Sequence, residues 1–106
     1  MKHSDTFYMG WIGYCSHFNK VWGWFEHCDN NKKRTMYCFW VMNLKKTIKF
    51  REYSRYTGAN QLAKIKDKKI KNQYVEISVD DLVAKWPNFF GDLENSFIFE
   101  KLREVI

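Results

Sequence analysis

The residues with the clearest chemistry in this sequence are cationic and aromatic. Lys32, Lys33 and Arg34 fall together, Lys45, Lys46, Lys49 and Arg51 follow, and Arg55 lies just beyond, with Trp40, Tyr53 and Tyr56 interleaved. From Thr47 to Arg51 the pattern alternates strictly. Ile48 and Phe50 point one way, and Thr47, Lys49 and Arg51 point the other. Alternate residues of a strand stand about 7 Å apart, a spacing that can track successive phosphates. Tyr53 and Tyr56, beside Arg51 and Arg55, can stack on bases or sugars. Contacts of this kind depend on salt and carry little sequence information. The same charges also describe an ordinary solvated sheet face.

Other chemistries find weaker support. Cys15, His17, His27, Cys28 and Cys38 are zinc-ligand types, but Cys15-x-His17 and the adjacent pair His27-Cys28 are not usual ligand spacings. Neighbours on a strand point to opposite faces, which works against joint ligation. Cys38 suits a small core position, and nothing in the sequence activates a thiol nucleophile. Asp80-Asp81 and Asp92 with Glu94 suit the first turns of helices, where the helix dipole favours acids. The sequence has no phosphate-binding glycine loop, nucleophile elbow or dinucleotide fingerprint. The expectation is a non-enzymatic protein without catalytic residues, metal ligands or cofactor.

The elements that must position the basic set belong to one domain. A chain of 106 residues supports one core, and its 19% aromatic content, with a single Pro and five Gly, argues against disorder or a long linker. Charge is unevenly spread. Residues 32–73 carry thirteen Lys or Arg against two acids, whereas residues 74–106 carry three against seven. A middle third this basic implies a patch for a polyanion or an acidic protein. The apolar run Phe7–Cys15 is too short to span a bilayer and lacks a cleavage site. Three cysteines without framework spacing suit a reducing compartment. A cytoplasmic, non-membrane protein is therefore expected.

Tyr37–Met42 is apolar at every position, as in a strand covered on both faces. Phe7–Tyr14 alternates Phe7, Met9 and Trp11 with Tyr8, Gly10 and Ile12, and Gly10 and Gly13 allow close packing or a bulge. Val21–His27 places Trp22, Trp24 and Glu26 on one face, and the polar stretch Cys28–Lys33 is a turn. Lys45–Glu52 completes a four-strand antiparallel meander. After a loop, Gln61–Lys71 is a helix whose apolar arc is interrupted by Lys66 and Lys69, while Lys64, Lys68 and Lys71 lie on its far side. Tyr74–Val79 alternates as a fifth strand. Ser78 and Asp81 form a capping box for a short helix through Trp86, stopped by Pro87. The tail Asp92–Ile106 is amphipathic near helical spacing.

The order of a Trp-bearing strand, a basic strand, a lysine-rich helix and the exit Lys71-Asn72-Gln73-Tyr74-Val75-Glu76-Ile77 resembles the WGR domain. That family occurs in poly(ADP-ribose) polymerases and in small bacterial and phage proteins. The likeness spans about residues 20–78, with strand 7–14 and the acidic tail 79–106 as additions to a single domain over 1–106. Trp40 matches the Trp of the signature, but Val41 and Met42 stand where its Gly and Arg would be, and Asn43-Leu44 replaces its glycine turn. In DNA-binding members the Trp and Arg contact the nucleic-acid backbone, so the resemblance implies that role here for Trp40 alone.

The expected fold is α+β: a twisted antiparallel sheet of about five strands packed on one main helix, with a short helical C-terminal tail. The expected function is binding of DNA or RNA backbone through Lys32, Lys33, Arg34, Trp40, Lys45, Lys46, Lys49, Arg51, Tyr53 and Arg55. The alternative is a small inhibitor or adaptor, phage-encoded and acting on a host protein, that grips an acidic protein partner.

Overall fold

A computed structural model describes residues 6–29, 31–42, 48–54 and 56–105, with side chains through Phe97. Five strands form one antiparallel sheet in the order β4-β3-β2-β1-β5: β1 (Thr6–Cys15), β2 (Lys20–Cys28), β3 (Arg34–Met42), β4 (Lys49–Tyr53) and β5 (Val75–Glu76). The first four are the expected meander. The fifth is shorter than Tyr74–Val79, pairing only Val75 with Tyr14 and Glu76 with Gly13. Ser78 turns the chain into a helix too soon for more: its hydroxyl accepts the Asp81 N–H at 3.0 Å, capping α2 (Val79–Lys85). Trp86 leaves the helical region ahead of Pro87, with φ −142° and ψ 80°, as a residue before proline is disfavoured there.

Helix α1 (Gly58–Lys71) begins three residues before Gln61. Gly58 lies against the sheet, where an added Cβ would stand 3.1 Å from the Tyr53 Cβ and 3.2 Å from the Met36 sulfur. The helix ends at Asn72, and Gln73 takes a left-handed φ of 71° before the chain enters β5. Lys68, Lys69 and Lys71 in the last turn complement the negative end of the helix dipole.

The two faces of the sheet are covered differently. Helix α1 covers one, seating Leu62 among Trp11, Trp22, Cys38 and Tyr53. The other carries the larger core, where Val21, Phe25, Tyr37, Phe39, Val41 and Ile48 pack with Leu82, Trp86, Phe89, Leu93 and Phe97. Those last five belong to α2 and to α3 (Phe89–Val105), or lie between them. The helical cover thus differs from a single main helix with a short tail. At 17 residues α3 is longer than α1, and it closes a face that would otherwise expose a row of aromatic rings. Strand β3 is doubly covered as its composition implies, with Tyr37, Phe39 and Val41 on the larger core and Cys38 on the α1 side.

Strand β1 departs from simple alternation. Its register against β2 shifts between Met9 and Trp11. Phe7 and Met9 join the larger core, Trp11 turns to the α1 face, and Ile12 and Tyr14 return to the larger core. The extra residue is Gly10, where a Cβ would fall 2.2 Å from the Trp24 ring. A bulge at this glycine is what lets Trp11 reach Trp22, with ring centroids 5.9 Å apart. The Trp11 indole N–H then donates to Glu76 Oε1 at 2.9 Å and ties β1 to β5.

Candidate nucleic-acid interface

Cross-strand register assembles the site. Trp22 pairs with Trp40, Trp40 with Lys49, Cys38 with Arg51 and Met36 with Tyr53. Phe50 packs into the larger core, so Lys49 and Arg51 project from the α1 face and are exposed. Trp40 is half-buried beside them, and Tyr53 is buried at 8% exposure. The Arg51 guanidinium lies 5.4 Å from the Tyr53 ring centroid.

A cavity of about 290 Å³ opens between this face and α1. Trp22, Trp40, Tyr53 and Tyr74 supply aromatic walls, and Ile65 of α1 forms part of the lip. Three cations, Lys20, Arg51 and Lys69, also line it, with no carboxylate among the lining residues. A second cavity of about 460 Å³ shares Lys20, Lys69 and Tyr74 and adds Cys15, Phe18 and Lys71.

The acidic groups lining the first cavity add no negative charge to it. Burial pushes the Cys38 thiol above its ordinary value, and its Sγ lies 3.8 Å from the Tyr53 hydroxyl oxygen. Burial also raises the Tyr53 and Tyr74 phenols. All three are neutral near pH 7. Lys69 is lowered, first by burial and then by the Lys20 ammonium. Its ammonium stands 5.0 Å from the Tyr74 ring centroid, and Lys66 stands 5.5 Å from that of Trp11. These are the two lysines that interrupt the apolar arc of α1. Both are half-buried, their stems covering aromatic surface.

The candidate residues therefore divide. Trp40, Lys49, Arg51 and Tyr53 come together. Lys32, Lys33 and Arg34 are exposed on the β2–β3 turn, at the other end of β3. Six residue steps of strand separate Arg34 from Trp40, or about 20 Å. In that turn Asp29 Oδ1 accepts the N–H groups of Asn31 and Lys33, each at 2.9 Å, and Lys32 takes a φ of 61°. Arg34 is partly neutralised by Glu26 at 3.6 Å and lies 5.5 Å from the Tyr8 ring centroid. Lys45, Lys46 and Arg55 lie outside the described residues. Tyr56 is 90% exposed and lines neither cavity.

Lys20, Trp22, Lys69 and Tyr74 complete the first cavity and were not among the expected site residues. Two of them left a trace in the sequence. Trp22 shares a strand face with Trp24, and Lys69 stands out as a charge within an apolar arc. Lys20 and Tyr74 approach only through the β2–β3 pairing and the return of α1 over the sheet.

The Cys and His residues do not converge. His27 is buried on the larger-core face, 4.6 Å from the Phe97 ring centroid, whereas Cys38 lies on the α1 face. Among the described residues no group of three His, Cys, Asp or Glu is placed to hold a metal ion. The three cysteines are free thiols. No helix among the described residues is long and apolar enough to cross a membrane. The chain matches no family model, no curated protein and no solved structure.

Proposed function

We propose that this chain is a non-enzymatic nucleic-acid-binding module that contacts the phosphate backbone through the β3–β4 face. One observation carries the reading: exposed Lys49 and Arg51 of β4 stand next to half-buried Trp40 of β3, beside a cavity lined by three cations and no carboxylate. Cations supply affinity for phosphates, and an adjoining aromatic offers a surface to sugars or bases. Lys32, Lys33 and Arg34 provide a second contact about 20 Å along β3. Lys45, Lys46 and Arg55 belong to the proposal through their positions in the sequence. The likeness to WGR domains lends support at Trp40. The test is retention of labelled DNA and RNA at low salt by the parent chain and by a Lys49→Glu, Arg51→Glu double variant. Loss of binding with an unchanged circular dichroism spectrum is expected. Full retention by the variant overturns the proposal.

A second reading, a small inhibitor or adaptor that grips a protein, draws on a different feature. Val75 is 66% exposed on edge strand β5, and Met42 is 55% exposed at the end of β3. An open edge with an apolar residue is a place where another chain can add a strand. A partner retained after nuclease treatment and in about 0.5 M salt favours this reading, because such salt suppresses phosphate-driven binding.

A further inference from the structure

The aromatic-walled cavity has features that a backbone-tracking surface does not require. Exposed lysines on an open sheet are enough to hold phosphates. Here Trp22, Trp40, Tyr53 and Tyr74 surround a recess of about 290 Å³ that runs beneath α1. That volume lies at the small end of ligand pockets, about 300–1,000 Å³, and suits one planar ring system with part of its attached sugar. The recess is also cationic without compensation. Burial, and after it the Lys20 ammonium, disfavours the charged form of Lys69, and Arg51 adds a third positive group to the lining. An anion at the mouth relieves that repulsion, while a planar group inside gains stacking.

The second cavity gives this arrangement a direction. It begins at the same Lys20, Lys69 and Tyr74 and continues to Lys71. A chain with one base in the first recess would pass its next phosphate between Lys20 and Lys69 and continue into the second. A paired duplex cannot do this, because its bases are stacked inside the helix. Only an unpaired nucleotide presents a free ring face.

We propose that the cavity between the sheet and α1 is a single-nucleotide pocket for single-stranded nucleic acid: one unpaired base enters between Trp22, Trp40, Tyr53 and Tyr74, and the adjoining phosphate sits on Lys20, Lys69 and Arg51. This assignment rests on the reading of the same face as a nucleic-acid surface. Ile65 gives a means of closing the pocket, since it is half-buried, lines the recess and carries no charge. Ile65→Trp fills the space and leaves every cation in place.

The experiment titrates an oligothymidylate, its duplex with oligoadenylate, and thymidine 5′-monophosphate against the parent chain and Ile65→Trp. Indole N–H signals are followed by NMR. The single strand is expected to bind the parent at least about tenfold more tightly than the duplex, as one stacked base would provide. Trp22 and Trp40 signals should move, while that of Trp86, on the opposite face, stays. Ile65→Trp should lose about tenfold for the single strand and nothing for the duplex. Should that variant fail to fold, the indole shifts of the parent chain decide. Equal affinity for single strand and duplex, with Trp22 and Trp40 unmoved, overturns the pocket and leaves the backbone reading standing. Equal affinity for the monophosphate and the oligomer overturns the single-strand assignment. Absence of binding to either polymer at low salt overturns both readings.

Discussion

The Cys38 thiol of β3 lies 3.8 Å from the Tyr53 hydroxyl oxygen of β4, joining the two strands beneath the aromatic cavity. Both groups are buried, and burial is the largest cause raising each above its ordinary value. The contact therefore has a pH signature. In the unfolded chain the thiol ionises near 9.0 and the phenols of Tyr53 and Tyr74 near 10.0, below their folded values. Stability from these groups is intact below about pH 9 and is lost as pH rises toward the folded values, because the unfolded state sheds its protons first. Lys69 has the opposite sign. Its charged form is disfavoured when folded, so approaching 10.5 removes a penalty and offsets part of the loss. The melting temperature should decline between about pH 9 and 11, less steeply in Cys38→Val. An identical decline in that variant would show that Cys38 contributes nothing to it.

Thiol reactivity follows from the same burial. Cys15 and Cys38 are buried at 2% exposure each, whereas Cys28 is half-buried near the β2–β3 turn. Alkylation of the native protein, followed by peptide mass spectrometry, should label Cys28 first. Cys38 should react only on a timescale set by unfolding.

The basic face predicts a specific salt response. For duplex DNA, the slope of log affinity against log salt is about −0.9 per phosphate contact. Replacing Lys49 with Gln should reduce the magnitude of that slope by about one, and Arg51→Gln should do likewise. Lys85, which stands over Tyr14 on the larger-core side, should leave the slope unchanged when replaced by Gln. Electrophoretic or anisotropy titrations at several salt concentrations read all three.

Phe25 is the centre of the larger core. It is fully buried and meets the rings of Phe7, Tyr37, Phe39, Phe50 and Phe97 at centroid distances of 5.4–6.2 Å. Phe25→Ala should cost about 3–5 kcal/mol. That is a large share of the about 5–15 kcal/mol that holds a domain folded. Urea unfolding should show a correspondingly lower midpoint.

Two glycines should respond in opposite directions to Ala. At Gly23 a Cβ would stand 2.6 Å from the Trp11 carbonyl oxygen and 2.7 Å from the Phe39 ring, so Gly23→Ala should destabilise by about 1–3 kcal/mol. At Gly91, within α3, a Cβ meets nothing within 4 Å. Gly91→Ala should stabilise by about 0.5–1 kcal/mol through helix propensity. Chemical denaturation of the pair checks both signs.

Local pattern carried much of this architecture. Apolar residues at every position of Tyr37–Met42 announce a strand covered twice, and alternation through Ile48–Arg51 places Lys49 and Arg51 away from the core. Ser78 and Asp81 mark the start of α2, and Lys66 and Lys69 mark the face of α1 that meets aromatic rings. Each is a relation among near neighbours, and such relations survive in a linear string. Two features of the elements themselves were less legible. The bulge at Gly10 hides because one extra residue reverses the facing of Trp11 without disturbing composition. The tail has the composition of an amphipathic appendage, while its helix α3 owes its position to the aromatic face left open by β2 and β3.

The candidate site divides along the same line. By itself the sequence determined that the middle of the chain is basic, that Trp40 and Tyr53 sit among those charges, and that Lys49 and Arg51 share a face. Tertiary structure decided which of these meet. Strand pairing set Trp22 beside Trp40 and placed Lys32, Lys33 and Arg34 about 20 Å away at the other end of β3. The crossing of α1 brought Lys69 and Tyr74 over the sheet opposite Arg51 and Lys20. The reason is physical: charge and periodicity belong to single segments, whereas a cavity exists only between segments. Residues 20 and 69 become neighbours through the register of one strand pair and the landing of one helix, and their meeting is not written in the spacing of amino acids along the chain.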